Sequence, residues 1–280
     1  MKVCRLVILA LTLAAVVAGC GKPHGGKNGK PKSSGRKLFG VSFQTMNNPF
    51  FVDLNEGIKK VVESHGDTLV TLDAQWNSLK QKNDISDLVM RGAAAIFVNP
   101  VNWEGVKGTL ISAKQAGVPV IIVDAPVKDR GLVLCTVASD NVKAGELAAE
   151  MLVKTAGATK IAILRLSVNK ACIDRVDGFK AVLAKHPGLK VIDEQEVKGT
   201  TESSLPVMRD LIGRHPDLNA VFAINDPSAL GAISALESAG ILGKVKVVSV
   251  DGSREAIAAI RSGKMLSTSA QFPREIGTVV

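Results

Sequence analysis

From Lys37 to the last residue the chain repeats one pattern: a short β-branched apolar run, a turn, then an amphipathic stretch ending in glycine. The runs are LFGVSF (38–43), TLVTLDA (68–74), AAAIFV (93–98), VPVIIV (118–123), LVLCTVA (132–138), KIAILRL (160–166), LKVIDEQEV (189–197), NAVFAI (219–224) and VKVVSV (245–250). The helical patterns between them close on Gly66, Gly92, Gly117, Gly157, Gly188, Gly240 and Gly263. Glycine just past a last helical residue supplies the left-handed conformation of a C-terminal cap. Continuous apolar strands alternating with helices predict an α/β fold with parallel sheets covered on both faces. One place breaks the alternation: VPVIIVDAP and LVLCTVAS are joined by a short polar turn with no helix. The chain is expected to leave one α/β lobe and enter a second around residues 125–140, giving two lobes of roughly 100–130 residues each, an ordinary domain size. The last pattern, PREIGTVV from Pro273, stops after two turns with neither cap nor following strand, which reads as a truncated end.

Ahead of this body, Lys2 and Arg5 precede an apolar run from Leu6 to Val17 and the small residues Ala18 and Gly19 before Cys20. That is the layout of a secretory signal over residues 1–20, and the run is too short to span a bilayer, which needs about twenty residues. The ending VAGC resembles the bacterial lipobox. The resemblance implies cleavage before Cys20 and lipidation of its thiol; an ordinary cleaved signal followed by an incidental cysteine is the alternative. Residues 21–36, GKPHGGKNGKPKSSGR, carry no large apolar side chain and read as a flexible tether. An exported protein, lipid-anchored to a bacterial membrane and facing the periplasm or the cell exterior, is the expectation. Of the formal net charge of +9, the seven basic residues of 1–36 account for all but +2. The folded part is nearly neutral, and a nucleic-acid-binding face is not expected.

In open parallel sheets ligands bind beyond the carboxyl ends of the strands. Just past the apolar runs stand Gln44, Asp124, Asn225, Asp226 and Asp251, and Phe50 and Phe51 follow the first run in a chain with 4% aromatics. Carboxylates accept from hydroxyls, carboxamides both donate and accept, and an aromatic face covers C–H groups, so the set suits a polyhydroxylated ligand. Taken singly, Asp or Asn after a strand is more often a helix N-cap.

The stretches TMNNPFF (45–51), ASDN (138–141), FAIND (222–226), VDG (250–252) and AQFP (270–273) closely resemble the ribose-binding protein family of bacterial ABC importers. The resemblance runs from about Lys37 to Val280. It implies the type I periplasmic binding protein fold: two Rossmann-like lobes with parallel sheets joined by a three-crossover hinge, closing on one monosaccharide that is then delivered to a membrane permease. The lobes would be 37–139 plus 271–280, and 140–270, and the protein a monomer. Carried over by motif, the sugar-contacting positions fall on Gln44, Asn48, Phe50, Phe51, Asp124, Arg175, Asn225, Asp251 and Gln271. The resemblance makes Phe50 and Phe51 a stacking wall, Arg175 a paired donor, and Asp124 and Asp251 acceptors. Two positions depart from the family's ribose binders: Ala125 stands where they have Arg, and Gly199 where they have a Phe facing the wall. A larger, less basic pocket is expected, with ribose itself in question.

Two other classes share features with this chain. The effector domain of a LacI-type transcriptional regulator has the same fold but would start with a DNA-binding helix pair, where this chain has a signal and tether. A sugar-processing enzyme could use Asp124 and Asp251 as an acid–base pair. However, His24, His65, His186 and His215 are scattered, with the last two expected at exposed helix ends, and no nucleophile elbow, phosphate loop or metal-ligand spacing occurs. No enzymatic activity, cofactor or metal is expected. Cys135 and Cys172 are expected to be buried free thiols, a disulfide between them being the alternative in an exported protein.

Overall fold

The computed structural model describes residues 35–155 and 157–280; Cys20, the expected signal and nearly all of the expected tether lie outside them. The apolar runs become two all-parallel sheets. The first holds β1 (Leu38–Phe43), β2 (Thr68–Asp73), β3 (Ala95–Val98), β4 (Val120–Val123) and β5 (Cys135–Val137) in the order β2-β1-β3-β4-β5. The second holds β6 (Lys160–Arg165), β7 (Lys190–Glu196), β8 (Ala220–Ala223), β9 (Lys246–Asp251) and β10 (Ser267–Ala270) in the order β10-β9-β8-β6-β7. Read from its own first strand, each sheet has the same winding. The chain therefore builds one doubly wound α/β unit twice.

Alternation along the first sheet's strands sorts their side chains to two faces. Ile96, Val98 and Ile122 pack under α2 (Ser78–Met90) and α3 (Lys107–Gln115), with Ile85, Leu88 and Leu110. Val41, Phe43, Phe97 and Val123 pack under α1 (Pro49–Ser64) with Leu54 and Ile58, and Ile276 of α9 (Pro273–Val279) joins them. The second sheet has one larger core built with α4 (Asn141–Val153), α5 (Lys170–Leu183), α6 (Thr201–Arg214), α7 (Asp226–Ser238) and α8 (Arg254–Arg261). The chain passes between the sheets after β5 and returns after β10, where α9 lies against α1 with Gly277 and Gly57 in backbone contact.

Three expectations change. β10, sequence STSA, is a strand that the apolar pattern does not announce, because it is an edge strand whose side chains are only partly buried. Gly188 does not adopt the left-handed conformation that the other six glycines do; α5 ends at Ala184, which keeps a right-handed backbone, and a turn carries the chain on. Cys135 is exposed rather than buried, since β5 is the outer strand of its sheet; Cys172 is buried, and both are free.

The helices α4 and α5 cross at backbone contact. A Cβ on Gly145 would overlap the Arg175 carbonyl oxygen, and one on Gly178 the Val142 carbonyl oxygen. Neither overlap can be relieved by turning a side chain. Gly145→Ala is expected to destabilise the fold by about 1–3 kcal/mol, as overpacking does, lowering the melting temperature by roughly 2–12 °C. Gly213→Ala, at a helical glycine with open space around it, is the control and should melt at or above the wild-type temperature. Equal melting of the two variants would contradict the close crossing.

Candidate functional site

Both sheets point their strand carboxyl ends at one cavity, and all nine residues carried over by motif line it: Gln44, Asn48, Phe50, Phe51, Asp124, Arg175, Asn225, Asp251 and Gln271. Trp76, Asn169, Cys172 and Gly199 line it as well. Ala125 is fully buried and does not reach it.

The two carboxylates are held there by unusual backbone. Asp124 has φ +66° and Asp251 φ +140°, and two of the chain's other non-glycine positive-φ residues, Gln75 and Trp76, lie in the loop that brings Trp76 to the same cavity. Such conformations cost of order 1–3 kcal/mol each and collect where a site requires them. Asp124 Oδ2 accepts from Asn99 Nδ2 at 3.0 Å, and Asn99 Oδ1 accepts from the Gln44 amide at 3.3 Å. Asn99 is fully buried and positions both residues without lining the cavity. It stands one residue past β3, the same strand-end signal that marks Gln44 and Asp124.

From α5, beside the second sheet, Arg175 is 4% exposed. Its Nε donates to Asn141 Oδ1 at 2.8 Å and its Nη1 to the Ile224 carbonyl at 2.7 Å, with Asp251 Oδ1 at 3.5 Å. Gln271, at the chain's return to the first sheet, donates from Nε2 to Asp251 Oδ1 at 2.8 Å. Burial pushes the Asp251 carboxyl up to about 7 and the Asp124 carboxyl up to about 6, against the lowering effect of Arg175. Burial also pushes the Cys172 thiol up to about 12, so it is a neutral group in the wall.

Capping uses part of the set. Asn48, Asn169 and Asn225 are side-chain N-caps of α1, α5 and α7. Asn225 also donates from Nδ2 to the Gly199 carbonyl at 2.9 Å, so both its amide atoms are engaged. Gly199 has φ +70°, and a Cβ there would sit 3.2 Å from Asn225 Nδ2, so a larger residue would be strained and crowded. The Phe50 and Phe51 rings meet edge to face, 5.3 Å apart at 89°, so they form a corner rather than one flat wall. Asp226 turns away from the cavity: it is fully buried and accepts from Ser249 Oγ, Thr268 Oγ1 and the Ser253 amide, binding the start of α7 to strands β9 and β10 and to the turn after β9. His215 is half-buried rather than exposed, its Nε2 2.8 Å from Asp193 Oδ2.

The lobes touch directly around the cavity. Asn169 Nδ2 donates to Gln44 Oε1 at 3.2 Å, the Trp103 amide donates to the Val168 carbonyl at 3.1 Å, and Lys170 Nζ lies 5.9 Å from the centre of the Trp103 ring. Inside this closed arrangement three buried acceptors at the cavity have no partner: Asp124 Oδ1, Asp251 Oδ2 and Gln271 Oε1. A buried polar atom left unsatisfied costs about 1–3 kcal/mol, so the cavity favours a molecule that presents hydrogen-bond donors at three places. Among the described residues no cluster of His, Cys, Asp and Glu is placed to hold a metal ion.

A family model described as a periplasmic binding protein domain matches residues 39–280. The ribose import binding protein RbsB of Bacillus subtilis is 37% identical over 99% of this chain and 90% of its own length. The xylitol-binding protein of Mycolicibacterium smegmatis is 30% identical over 92% of this chain and 74% of its own length. Among solved structures, the periplasmic binding protein component of a Shewanella arabinose ABC transporter, bound to L-arabinofuranose, superposes with a TM-score of 0.81 at 31% identity, covering 87% of this chain and 83% of that one. The Caulobacter myo-inositol binding protein bound to myo-inositol superposes with a TM-score of 0.81 at 30% identity, covering 86% and 84%.

Proposed function

This chain belongs to the periplasmic binding protein domain family, and from that premise we propose that it is the sugar-capturing component of an ABC importer. Its ligand is a monosaccharide, a ribose-like pentose or a related polyol, held between lobes 37–139 plus 271–280 and 140–270 by the nine residues gathered at the cavity. The observation that carries this reading is the trio of unpartnered acceptors, Asp124 Oδ1, Asp251 Oδ2 and Gln271 Oε1. Acceptors call for donors, and a neutral polyol supplies them where an anion would face two carboxylates. The relatives point the same way, being ribose and xylitol binders at 37% and 30% identity.

Asp124 comes from the first sheet and Asp251 from the second. A ligand that bonds both therefore favours the closed arrangement over an open one, and binding shifts the population toward closure. The closed form is what a permease would recognise. The reading is binding and not catalysis, because the inner oxygen of each carboxylate is already tied to Asn99 or to Gln271 and Arg175, which leaves one acceptor on each. Among the described residues no helix is long and apolar enough to cross a membrane. The VAGC stretch supports export behind residues 1–20 with a lipid on Cys20, the folded part being carried on the tether of 21–36.

Calorimetric titration of wild type and Asp251→Ala with D-ribose, L-arabinose, xylitol and myo-inositol tests the reading. One of these should give saturable one-to-one binding that weakens by about 10- to 150-fold in the variant, the value of a hydrogen bond to a charged group. Binding of unchanged strength in Asp251→Ala would move the ligand out of this cavity.

A further inference from the structure

Trp76 reaches the cavity from the loop between β2 and α2, and three observations set it apart. Gln75 and Trp76 are successive non-glycine residues with left-handed backbone, φ +53° and +59°. The Trp76 amide donates to the Gln44 carbonyl at 2.7 Å and the Gln75 amide to Asp73 Oδ1 at 2.8 Å, and these bonds hold the loop in its strained form. The indole, carried by the first lobe, packs against the hydrophobic core of the second while lining the cavity beside Phe50 and Gly199. Its Nε1 is buried and has no partner. An indole nitrogen only donates, and a buried one ordinarily finds an acceptor. Among the buried, unpartnered side-chain atoms that line the cavity in the described residues, Trp76 Nε1 is the donor and the other three accept.

We propose that Trp76 is a ligand-contacting, specificity-determining residue: its indole N–H donates to an oxygen of the bound sugar and its ring covers the sugar's C–H surface. This rests on the reading of the cavity as a sugar site and adds a requirement to it. The ligand must offer a lone pair to Trp76 as well as donors to Asp124, Asp251 and Gln271. A ring oxygen or hydroxyl of a sugar does both. An ammonium ion, which satisfies carboxylates with donors alone, does not. Because the ring is carried by one lobe and packs, partly buried, against the other, the contact exists only when the lobes are closed.

The chain has two tryptophans and no tyrosine, so Trp103→Phe leaves Trp76 as the sole indole. In full-length protein of that background, titration with D-ribose, L-arabinose, xylitol and myo-inositol should change the emission of Trp76 saturably with whichever of them the calorimeter shows to bind. Trp76→Phe, which keeps a ring and removes the donor, should bind that sugar about three- to tenfold more weakly, and Trp76→Leu by about thirtyfold or more. A ligand-free thermal melt of each variant separates lost contact from lost fold, and Trp76→Phe decides the matter if Trp76→Leu does not melt cooperatively. Wild-type affinity in the folded variants with unchanged emission would overturn the role of Trp76 and leave the sugar site standing. If none of these four, and no other pentose, hexose or sugar alcohol, binds wild type, the sugar reading falls and this proposal falls with it.

Discussion

Replacing Arg175 with alanine is expected to lower the melting temperature by roughly 6–20 °C and to weaken sugar binding by at least about tenfold. The guanidinium is 4% exposed and bonds Asn141 Oδ1 and the Ile224 carbonyl, with Asp251 Oδ1 3.5 Å away. Removing it leaves Asp251 and Asp124 as buried carboxylates without a counter-charge, and breaking a buried pair in this way costs about 3–5 kcal/mol. Arg175 also lines the cavity, so the same loss removes a charged group from its wall. Arg165→Ala is the matching control. That arginine is 38% exposed and pairs with Glu194 and Glu196 at the surface, where an ion pair contributes about 0–1 kcal/mol. Scanning calorimetry of the two variants makes the comparison. Equal melting, with wild-type affinity in Arg175→Ala, would mean that the guanidinium holds neither the fold nor the ligand.

The ligand-free protein is expected to lose stability as the pH rises from 5 to 8, by on the order of 3 kcal/mol, or roughly 6–12 °C in melting temperature. Burial raises the carboxyl of Asp251 from 3.8 to about 7 and that of Asp124 from 3.8 to about 6. Between about pH 4 and 7 the folded state therefore holds more protons than the unfolded one, and stability falls as those protons leave. Asp193 shifts the other way: bonds from Gln195, His215 and Arg214 hold it down at about 2, so its contribution is lost only in stronger acid, outside this window. Sugar hydroxyls donate to the ionised carboxylates and favour that form, so binding expels a proton and tightens from pH 5 to 8. The ligand's stabilising effect should be larger at pH 8 than at pH 5. Asp251→Asn, which cannot ionise, should flatten most of the ligand-free slope. A wild-type slope in that variant would assign the pH dependence elsewhere.

Much of this site can be read along the chain because parallel strands place their ends at a common rim: Gln44 and Asp124 share the rim of the first sheet, Asn225 and Asp251 that of the second, and the packing of the two lobes brings the rims together. The same rule overreaches at Asp226 and overlooks Trp76. Asp226 opens α7 with helical backbone and its carboxylate is consumed by Ser249, Thr268 and the Ser253 amide. Asp124 and Asp251 escape such consumption because left-handed or otherwise positive φ turns them inward, and no residue type announces that conformation in an aspartate. Trp76 also follows a strand, but a polar-ligand pattern gives no reason to select an indole. Asn99 occupies the flagged kind of position, and Asn169 caps the helix that follows β6. Their part in holding Gln44 emerges only when β3 and the second lobe are brought beside it. β10 was invisible for a simpler reason: a polar edge strand has no apolar run.

The most direct test of sugar capture in this cavity is a thermal-shift panel at pH 8 covering pentoses, hexoses, sugar alcohols and non-sugar solutes. One polyhydroxylated ligand at about 100 times its dissociation constant should add about 2.7 kcal/mol, raising the melting temperature by roughly 5–10 °C. That shift should be lost in Asp251→Ala. A cooperative melt that no sugar or polyol moves, or that a non-sugar solute moves equally in wild type and Asp251→Ala, would contradict the account.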